Sequence, residues 1–258
     1  MNGRQSKIDL NCDMGEMSVA ITDGTQEALM RSVTSVNVAC GGHAGDEEMM
    51  RTTIQQAMRH GVAIGAHPGY ADRENFGRLE VKVSSAEVAQ SVFDQVRALA
   101  QVAEGCGTRL VHVKPHGALY NQAVKNRELA RAIADGVARW NRRVVLVGLA
   151  GSAMLEVFRE VGFPVAAEAF ADRRYEPDGT LRPRKFEDAL IRDPESAARQ
   201  ALGMAERGVV RASNGNEVTV AAQTICIHGD TPGAPAIAAE VARVLRESGV
   251  ILSGLLGS

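Results

Sequence analysis

Short runs of alternating apolar and polar residues recur along the chain, and several of them end in charged or histidine side chains. Because successive side chains point to opposite faces of a strand, each run predicts a strand with one apolar and one polar face. Three groups of polar residues each share one such face: Asp9, Asn11 and Asp13; His112 and Lys114; and Cys226, His228 and Asp230. Polar residues at so many strand ends predict one site built from several strands.

Seven strand-like runs alternate with helical patterns. The predicted strands cover residues 8–12, 35–39, 63–66, 110–114, 144–147, 165–170 and 223–228. The predicted helices lie near residues 25–33, 47–60, 85–104, 126–140, 152–161, 194–207 and 235–248. This alternation is typical of parallel strands joined by helical crossovers. An open doubly wound sheet shares it, but no Gly-x-Gly-x-x-Gly follows the first strand and no Walker loop occurs, so the pattern favours a β/α barrel.

Composition narrows the class of protein. The 258 residues, 45% of them hydrophobic, suffice for one large core, so we expect a single domain over residues 1–258. A net charge of −2 and an aromatic content of 4% argue against a nucleic-acid partner. The sequence shows no apolar leader and no long apolar run, which predicts a cytoplasmic protein without a membrane partner. Its four cysteines form no Cys-x-x-Cys pair, which favours reduced thiols over structural zinc.

The first strand ends in a dense acidic group. Asp9, Asn11, Asp13 and Glu16 lie within one short stretch. Carboxylates placed so closely raise one another's pKa unless a cation intervenes, so the stretch predicts a metal site or a proton-transfer site. The alternative is that Asp9 and Asn11 are hydrogen-bond partners in the core and that Asp13 forms a turn.

Two histidines follow apolar strands and are surrounded by small residues. Together with Asp13, His43 and His67 would offer two imidazoles and one carboxylate to a divalent metal, with positions left for water and substrate. The alternative is that each histidine only binds its neighbouring loop, because no His-x-His or His-x-x-x-His spacing is present.

Lys114 lies on the polar face of the fourth predicted strand. A lysine turned into a barrel loses hydration unless an anion compensates its charge, so an anionic substrate or a phosphoryl group is one expected partner. A structural salt bridge to Asp9 or Glu168 is the other. His116 follows two residues later and is suited to general acid or base chemistry near neutral pH.

Paired arginines follow the sixth predicted strand. Arg173 and Arg174 suit the capture of a carboxylate or phosphate, although surface arginines are commonly just solvated. His60 lies in a helical run, which indicates a surface or capping residue rather than a catalyst.

The chain resembles the LamB/YcsF family, whose bacterial members include the A subunit of the ATP-dependent 5-oxoprolinase. The resemblance is carried by residues 9–16, 37–46, 65–70, 76–78, 113–121, 148–152, 170–173 and 225–230, in the order of the family. It spans roughly residues 7–250. The segment 17–25 is shorter than the corresponding family segment, and Gly42 stands where the family usually has an aromatic residue before the histidine.

The resemblance implies a distorted seven-stranded, TIM-like β/α barrel similar to glycoside hydrolase and deacetylase barrels. It also implies ATP-dependent opening of the 5-oxo-L-proline lactam to L-glutamate, together with companion subunits B and C. A lactam carbonyl is a poor electrophile, so its hydrolysis needs either a metal or prior phosphorylation of its oxygen. ATP favours the second route, and the need for companion subunits agrees with the missing phosphate-binding loop. A divalent metal and a homo-oligomer remain open.

Three sets of site residues follow from this hypothesis. The catalytic candidates are Asp13, Lys114, His116 and Asp230. The substrate-binding candidates are Asn11, Glu16, His43, Tyr120, Asp172, Arg173 and His228. The metal candidates are Asp13, His43 and His67. Two other functions stay open: a metal-dependent amide hydrolase or deacetylase that needs no ATP, and a substrate-binding subunit without chemistry of its own.

Overall fold

The computed structural model describes residues 6–255. Within them the strands are β1 (Lys7–Met14), β2 (Ser35–Ala39), β3 (Ala63–His67), β4 (His112–Val113), β5 (Val145–Leu149), β6 (Val165–Phe170), β7 (Val209–Arg211), β8 (Glu217–Thr219), β9 (Thr224–Cys226) and β10 (Ile251–Leu252). The α-helices there are α1 (Ser18–Thr22), α2 (Thr25–Met30), α3 (Glu47–His60), α4 (Ser85–Gly105), α5 (Gly117–Ala123), α6 (Arg127–Trp140), α7 (Ala153–Glu160), α8 (Pro194–Arg207) and α9 (Ala234–Glu247).

Seven parallel strands close into a barrel. Strands β1 to β6 pair in sequence order, β6 pairs with β9, and β9 pairs back with β1 through Leu10 and Ile225. The short β10 extends the sheet beside the first residues of β1. The predicted barrel and its seven strands are therefore confirmed. The seventh barrel strand, β9, ends at Cys226 rather than at residue 228, so His228 and Asp230 lie in the following loop.

The two faces of the strands have different surroundings. Leu10 and Ile225 belong to the main apolar core, which also includes buried residues of the surrounding helices. Inside the barrel, a small apolar cluster of Val145, Val147 and Ala166 is separate from that core. Polar side chains also face inward, among them Asp9, Asn11 and Asn37, and the charged Asp13, Lys114 and Glu168 are paired there.

Helix boundaries agree with local signals in the sequence. Ser84 and Glu87 form a reciprocal capping box at the start of α4, and Asp46 caps α3 by accepting a hydrogen bond from the Met49 N–H. Gly61 ends α3 in a left-handed conformation with a φ of 65°, which favours glycine. The loop that carries His43 thus ends at the Asp46 cap, and Gly61 leads into β3, which ends at His67.

The connection from β6 to β9 is the most elaborate one. It contains a 3₁₀ turn at Glu187–Ala189, helix α8 and an antiparallel hairpin of β7 and β8. Its first part returns over the barrel and supplies Arg173 and Arg184 to the carboxyl ends of the strands. Across residues 6–255, the helices are too short or too polar to span a bilayer.

Candidate active site

A cavity of about 620 Å³ opens at the carboxyl ends of the barrel strands. The predicted site residues that line it are Asp13, Glu16, His67, Lys114, His116, Tyr120, Arg173, His228 and Asp230. The remaining three, Asn11, His43 and Asp172, are buried and contact lining residues instead. The structure thus brings all twelve predicted residues to one end of the barrel, where β/α barrels carry their sites.

Lys114 is buried at the base of the cavity and is neutralised within the chain. Its Nζ lies 2.9 Å from Asp13 Oδ1 and 2.9 Å from Glu168 Oε1, and it also donates to the sulfur of Cys226 at 3.1 Å. Although burial opposes its charge, these partners hold the pKa of Lys114 well above its usual range. Of the two structural salt bridges expected from the sequence, the one with Glu168 is present.

Asp13 is ionised for the same reason. Burial acts to raise the pKa of Asp13, but the charges of His67 and Lys114 outweigh it and hold that pKa well below its usual range. Asn37 adds a hydrogen bond of 2.8 Å to Asp13 Oδ1. Asp13 is therefore a charged group of the cavity wall and not the turn former of the alternative interpretation.

Deeper in the barrel, Asp9 is surrounded by hydroxyl groups. Thr34, Ser35 and Thr224 donate to its carboxylate at 2.6, 2.7 and 2.5 Å. Burial raises the pKa of Asp9 against the opposing effect of these hydrogen bonds. Asn11 lies between this layer and Lys114, since it donates to Thr224 and accepts from Lys114. Asp9 and Asn11 are thus core hydrogen-bond partners, as the alternative interpretation of this stretch expected.

Two histidines on β3 and after β4 face each other. The Nδ1–H of His67 donates to the Lys114 carbonyl at 2.7 Å, and the Nε2–H of His116 donates to the Phe76 carbonyl at 2.9 Å. The other two ring nitrogens, His67 Nε2 and His116 Nδ1, are then 3.0 Å apart. Two lone pairs at that distance repel each other, so the arrangement requires a proton or a metal cation between or beside them.

Glu16 and His43 complete this histidine cluster, which we define as Glu16, His43, His67 and His116. Glu16 Oε1 is 2.9 Å from His43 Nε2 and 3.2 Å from His116 Nδ1. The His43 Nδ1 atom is buried without a hydrogen-bond partner among the described residues. One ligand atom from each of the four residues lies within 4.8 Å of the others, so the group could hold a metal ion.

This cluster differs from the metal set expected from the sequence. His43 and His67 belong to it, but Asp13 approaches only His67, at 3.4 Å, and its other oxygen is held by Lys114. Glu16 is the nearer carboxylate. Its pKa is lowered because the hydrogen bonds of His116 and His43 outweigh the effect of burial. Burial also lowers the pKa of His43 to about 4, so this ring is neutral and able to act as a ligand.

On the opposite side of the cavity, a buried carboxylate holds His228. Asp172 accepts from His228 Nδ1 at 3.0 Å and from Thr231 Oγ1 at 2.7 Å. Phe170 stacks on the His228 ring with centroids 5.2 Å apart. Asp13, Cys226 and His228 also lie close together, but the Lys114 ammonium occupies the space beside the first two and excludes a second cation there.

Several buried polar atoms near the cavity have no hydrogen-bond partner in the described part of the chain. They include the Tyr120 hydroxyl, Glu168 Oε2 and Arg173 Nε. The Arg173 guanidinium makes one hydrogen bond, to the Arg182 carbonyl at 2.8 Å, and burial lowers its pKa to about 10. Arg174 beside it is exposed. Arg173 is therefore a buried cation available to an anionic ligand.

The rim of the cavity is tied together by Asp230. This residue pairs with Arg78 of the β3–α4 connection and lies 3.4 Å from Arg184 of the β6–α8 connection. Sequence reasoning proposed Asp230 as catalytic and did not single out either arginine. It also missed Asn37 and Thr224. Asn37 lies between Val36 and Val38 in a predicted strand, which is the signal that identified Asp9 and Lys114, whereas Thr224 follows Gln223 and gives a weaker signal.

Comparison with known proteins agrees with this architecture. The model of the LamB/YcsF family matches residues 8–256. The chain belongs to the LamB/YcsF family. A relative in Chloroflexus aggregans, named as the A subunit of 5-oxoprolinase, is 49% identical over 94% of this chain and 96% of its own length. One of the same name in Pyrococcus furiosus is 45% identical over 95% of this chain and 96% of its own.

Solved structures give the same result for the fold. The lactam utilization protein of Thermus thermophilus superposes with a TM-score of 0.90 at 43% identity and covers 96% of this LamB/YcsF chain and 99% of its own. A peptidoglycan deacetylase of Bacillus subtilis superposes with a TM-score of 0.51 at 15% identity over 99% of this chain and 90% of its own, a likeness of fold alone. The expected similarity to deacetylase barrels is confirmed at that level.

The two sequence departures lie beside the histidine cluster. Helix α1 occupies most of the short segment 17–25. At Gly42, a Cβ would overlap the side-chain amide of Gln95. Gln95 holds the next loop by accepting from the Gly69 N–H and donating to the Gly69 carbonyl. In this protein, therefore, a buried glutamine fills the space that a larger residue at position 42 would require.

Proposed function

We propose that this chain is the A subunit of an ATP-dependent 5-oxoprolinase, which opens the lactam of 5-oxo-L-proline to L-glutamate. The observation that carries the proposal is the cavity itself, which combines the buried Arg173 guanidinium, whose Nε has no hydrogen-bond partner among the described residues, with a set of charged and histidine side chains. The relatives that share almost the whole chain, and carry the name of the 5-oxoprolinase A subunit, support the same substrate.

The substrate offers a carboxylate, a ring N–H and a lactam carbonyl. In our proposal Arg173 binds the carboxylate, because its Nε has no partner within residues 6–255 and it is only 6% exposed. The Tyr120 hydroxyl and Glu168 are the neighbouring polar groups on the ring side of the substrate in our proposal, and burial together with the charge of Glu168 raises the pKa of Tyr120. Lys114 is less suited to the carboxylate than the sequence suggested, since Asp13 and Glu168 already neutralise it.

ATP makes the poor electrophile reactive. Transfer of a phosphoryl group to the lactam oxygen activates the ring carbon towards water. Water then adds to that carbon, the C–N bond breaks with its electron pair moving to nitrogen, and an acyl phosphate remains. A second water releases phosphate from it and leaves glutamate. Asp13 and His116 line the cavity in which these proton transfers would take place.

We propose that companion subunits B and C supply the nucleotide-handling part of this reaction. The sequence has neither a Walker loop nor a Gly-x-Gly-x-x-Gly motif. The isolated chain is therefore expected neither to hydrolyse ATP nor to release glutamate at a useful rate.

The histidine cluster favours a second candidate, a metal-dependent amide hydrolase. His67 and His116 each use one nitrogen to bind a backbone carbonyl, which is the usual support of a metal-binding histidine, so the donor set fits a divalent ion. The residues that would hold it are Glu16, His43, His67 and His116. A divalent ion there would act as a Lewis acid towards a carbonyl oxygen or bound water.

The deciding experiment measures glutamate formed from 5-oxoproline by the chain alone, with both companions B and C, and with each of the two omitted in turn. Every arm is run with and without ATP and with and without a chelator. We expect glutamate only when ATP and all three subunits are present. ATP-independent glutamate from the chain alone would replace the proposal by the metal-dependent hydrolase, and full activity of B and C without this chain would exclude both.

A further inference from the structure

His228 is oriented differently from the histidines of the cluster around Glu16. Asp172, whose side chain is fully buried, accepts from His228 Nδ1 at 3.0 Å, from the His228 backbone N–H at 3.1 Å and from Thr231 Oγ1 at 2.7 Å. A carboxylate held by several donors fixes the ring nitrogen that carries the proton. Nδ1 therefore keeps its proton, and Nε2 is the nitrogen left for the cavity.

The plane of the His228 ring is fixed as well. Phe170 stacks on it with 17° between the two rings, and Phe170 is itself buried at the end of β6. A ring nitrogen of His228, a carboxylate oxygen of Asp13 and the sulfur of Cys226 lie within 4.8 Å of one another. His228 thus reaches the charged base of the cavity in a defined orientation.

Lactam opening requires a proton donor, because an amine leaves as a neutral group only if its nitrogen is protonated as the C–N bond breaks. Asp13 is ionised beside Lys114 and has no proton to give, and the facing nitrogens of His67 and His116 already share a proton or a cation. His228 offers an oriented nitrogen outside these contacts.

We infer that His228 is the general acid of ring opening and that Asp172 is its positioning residue, an assignment that rests on the proposed lactam hydrolysis. Nε2–H of His228 gives its proton to the ring nitrogen while the C–N bond breaks and its electron pair moves to that nitrogen. His228 is left neutral with its Nδ1–H still bonded to Asp172. The carboxylate stays ionised throughout, and the proton that the added water's hydroxyl releases as the C=O bond re-forms restores Nε2–H.

The test uses His228→Asn in the reconstituted three-subunit enzyme. Asparagine keeps a donor for Asp172 and removes the nitrogen that faces the cavity. We expect kcat for 5-oxoproline to fall roughly a hundred- to ten-thousandfold, with KM changed less than about threefold. His60→Asn, a change at the end of α3 away from the cavity, is the matched control and should keep the wild-type rate. If His228→Asn fails to fold, His228→Gln serves as the second variant.

A double-mutant cycle of His228→Asn and Asp172→Asn distinguishes a positioning role of Asp172 from a role in stabilising the fold. Because Asp172 acts through His228, the double variant Asp172→Asn/His228→Asn should be no slower than His228→Asn alone. A folded His228→Asn enzyme with kcat near the wild-type value, or losses that multiply in the double variant, would overturn the assignment.

Wild-type enzyme that forms no glutamate with ATP and both companions would overturn the proposed function and this role with it. Wild-type activity together with an unaffected variant would overturn the role alone.

Discussion

Asp9 and Asp13 share one face of β1, yet they lie in chemically different regions of the barrel. Asp9 is surrounded by the hydroxyls of Thr34, Ser35 and Thr224, all neutral donors. Asp13 is paired with Lys114 and lines the cavity. The same residue type on the same strand therefore serves the fold at one depth and the site at another.

The difference follows from whether positive groups at each depth of the barrel can compensate the charge of a buried carboxylate. Near the amino ends of the strands, burial raises the pKa of Asp9, and its neutral hydroxyl partners only partly oppose that effect. Near the carboxyl ends, Lys114 and His67 lower the pKa of Asp13. Charged groups persist only where opposite charges accompany them. Depth along the strand thus separates structural acids from acids available for chemistry.

Lys114→Met should have the largest effect of these variants, because it removes the charge that distinguishes the surroundings of Asp13 from those of Asp9. The change keeps the aliphatic stem but leaves Asp13 and Glu168 buried without their counterion, so we expect a loss of about 3–5 kcal/mol in the free energy of unfolding, measured by denaturant titration. Lys125→Met, which removes an exposed lysine paired with Asp178, is the matched control and should change stability little. Unchanged stability with lost turnover would instead assign Lys114 to the substrate.

Arg173→Met is expected to have the next largest effect. If Arg173 binds the substrate carboxylate, kcat/KM for 5-oxoproline should fall roughly ten- to a hundredfold, the usual range for one charge-assisted hydrogen bond. Arg174→Met removes the exposed neighbour and should leave kcat/KM intact. Equal losses in the two variants would remove the carboxylate assignment, as would an equal loss on 2-pyrrolidone, which has no carboxylate.

Asp9→Asn should have the smallest effect. Its partners are hydroxyl groups, which can rotate to accept from the new amide, so we expect a loss of only about 1–2 kcal/mol in unfolding free energy. The turnover of the folded enzyme should stay near the wild-type value. A collapse of turnover without loss of stability would show that the deeper layer takes part in the chemistry.

The strands and the gathering of polar residues at one end were accessible from sequence because both depend on the alternation of side chains. The β7–β8 hairpin was missed, although Asn214 and Gly215 between two alternating runs are a known hairpin signal. Helix α5 was missed because it begins directly after the Lys114 to His116 motif and is only 7 residues long. Short elements of this kind are stabilised mainly by tertiary contacts.

Residue partners within the site were harder to predict. Alternation places Asp9 and Asp13 on one face, but it does not show which side chains each carboxylate meets, so it could not assign the hydroxyls to Asp9 or Lys114 to Asp13. Glu16 contacts His43 and His67 from the turn that follows β1, where strand periodicity no longer predicts the direction of a side chain. The support of His116 by the Phe76 carbonyl depends on a backbone atom, which no side-chain pattern reveals.

The claim that Asp9 serves the fold whereas Asp13 serves the reaction is tested most directly by Asp13→Asn. This variant is measured in the reconstituted enzyme for both glutamate formation and thermal unfolding. Lys114 retains Glu168 as a partner, so the account predicts a folded protein whose rate falls by more than about a hundredfold. Asp9→Asn, measured beside it, should keep its rate. Full activity of folded Asp13→Asn enzyme would contradict the account.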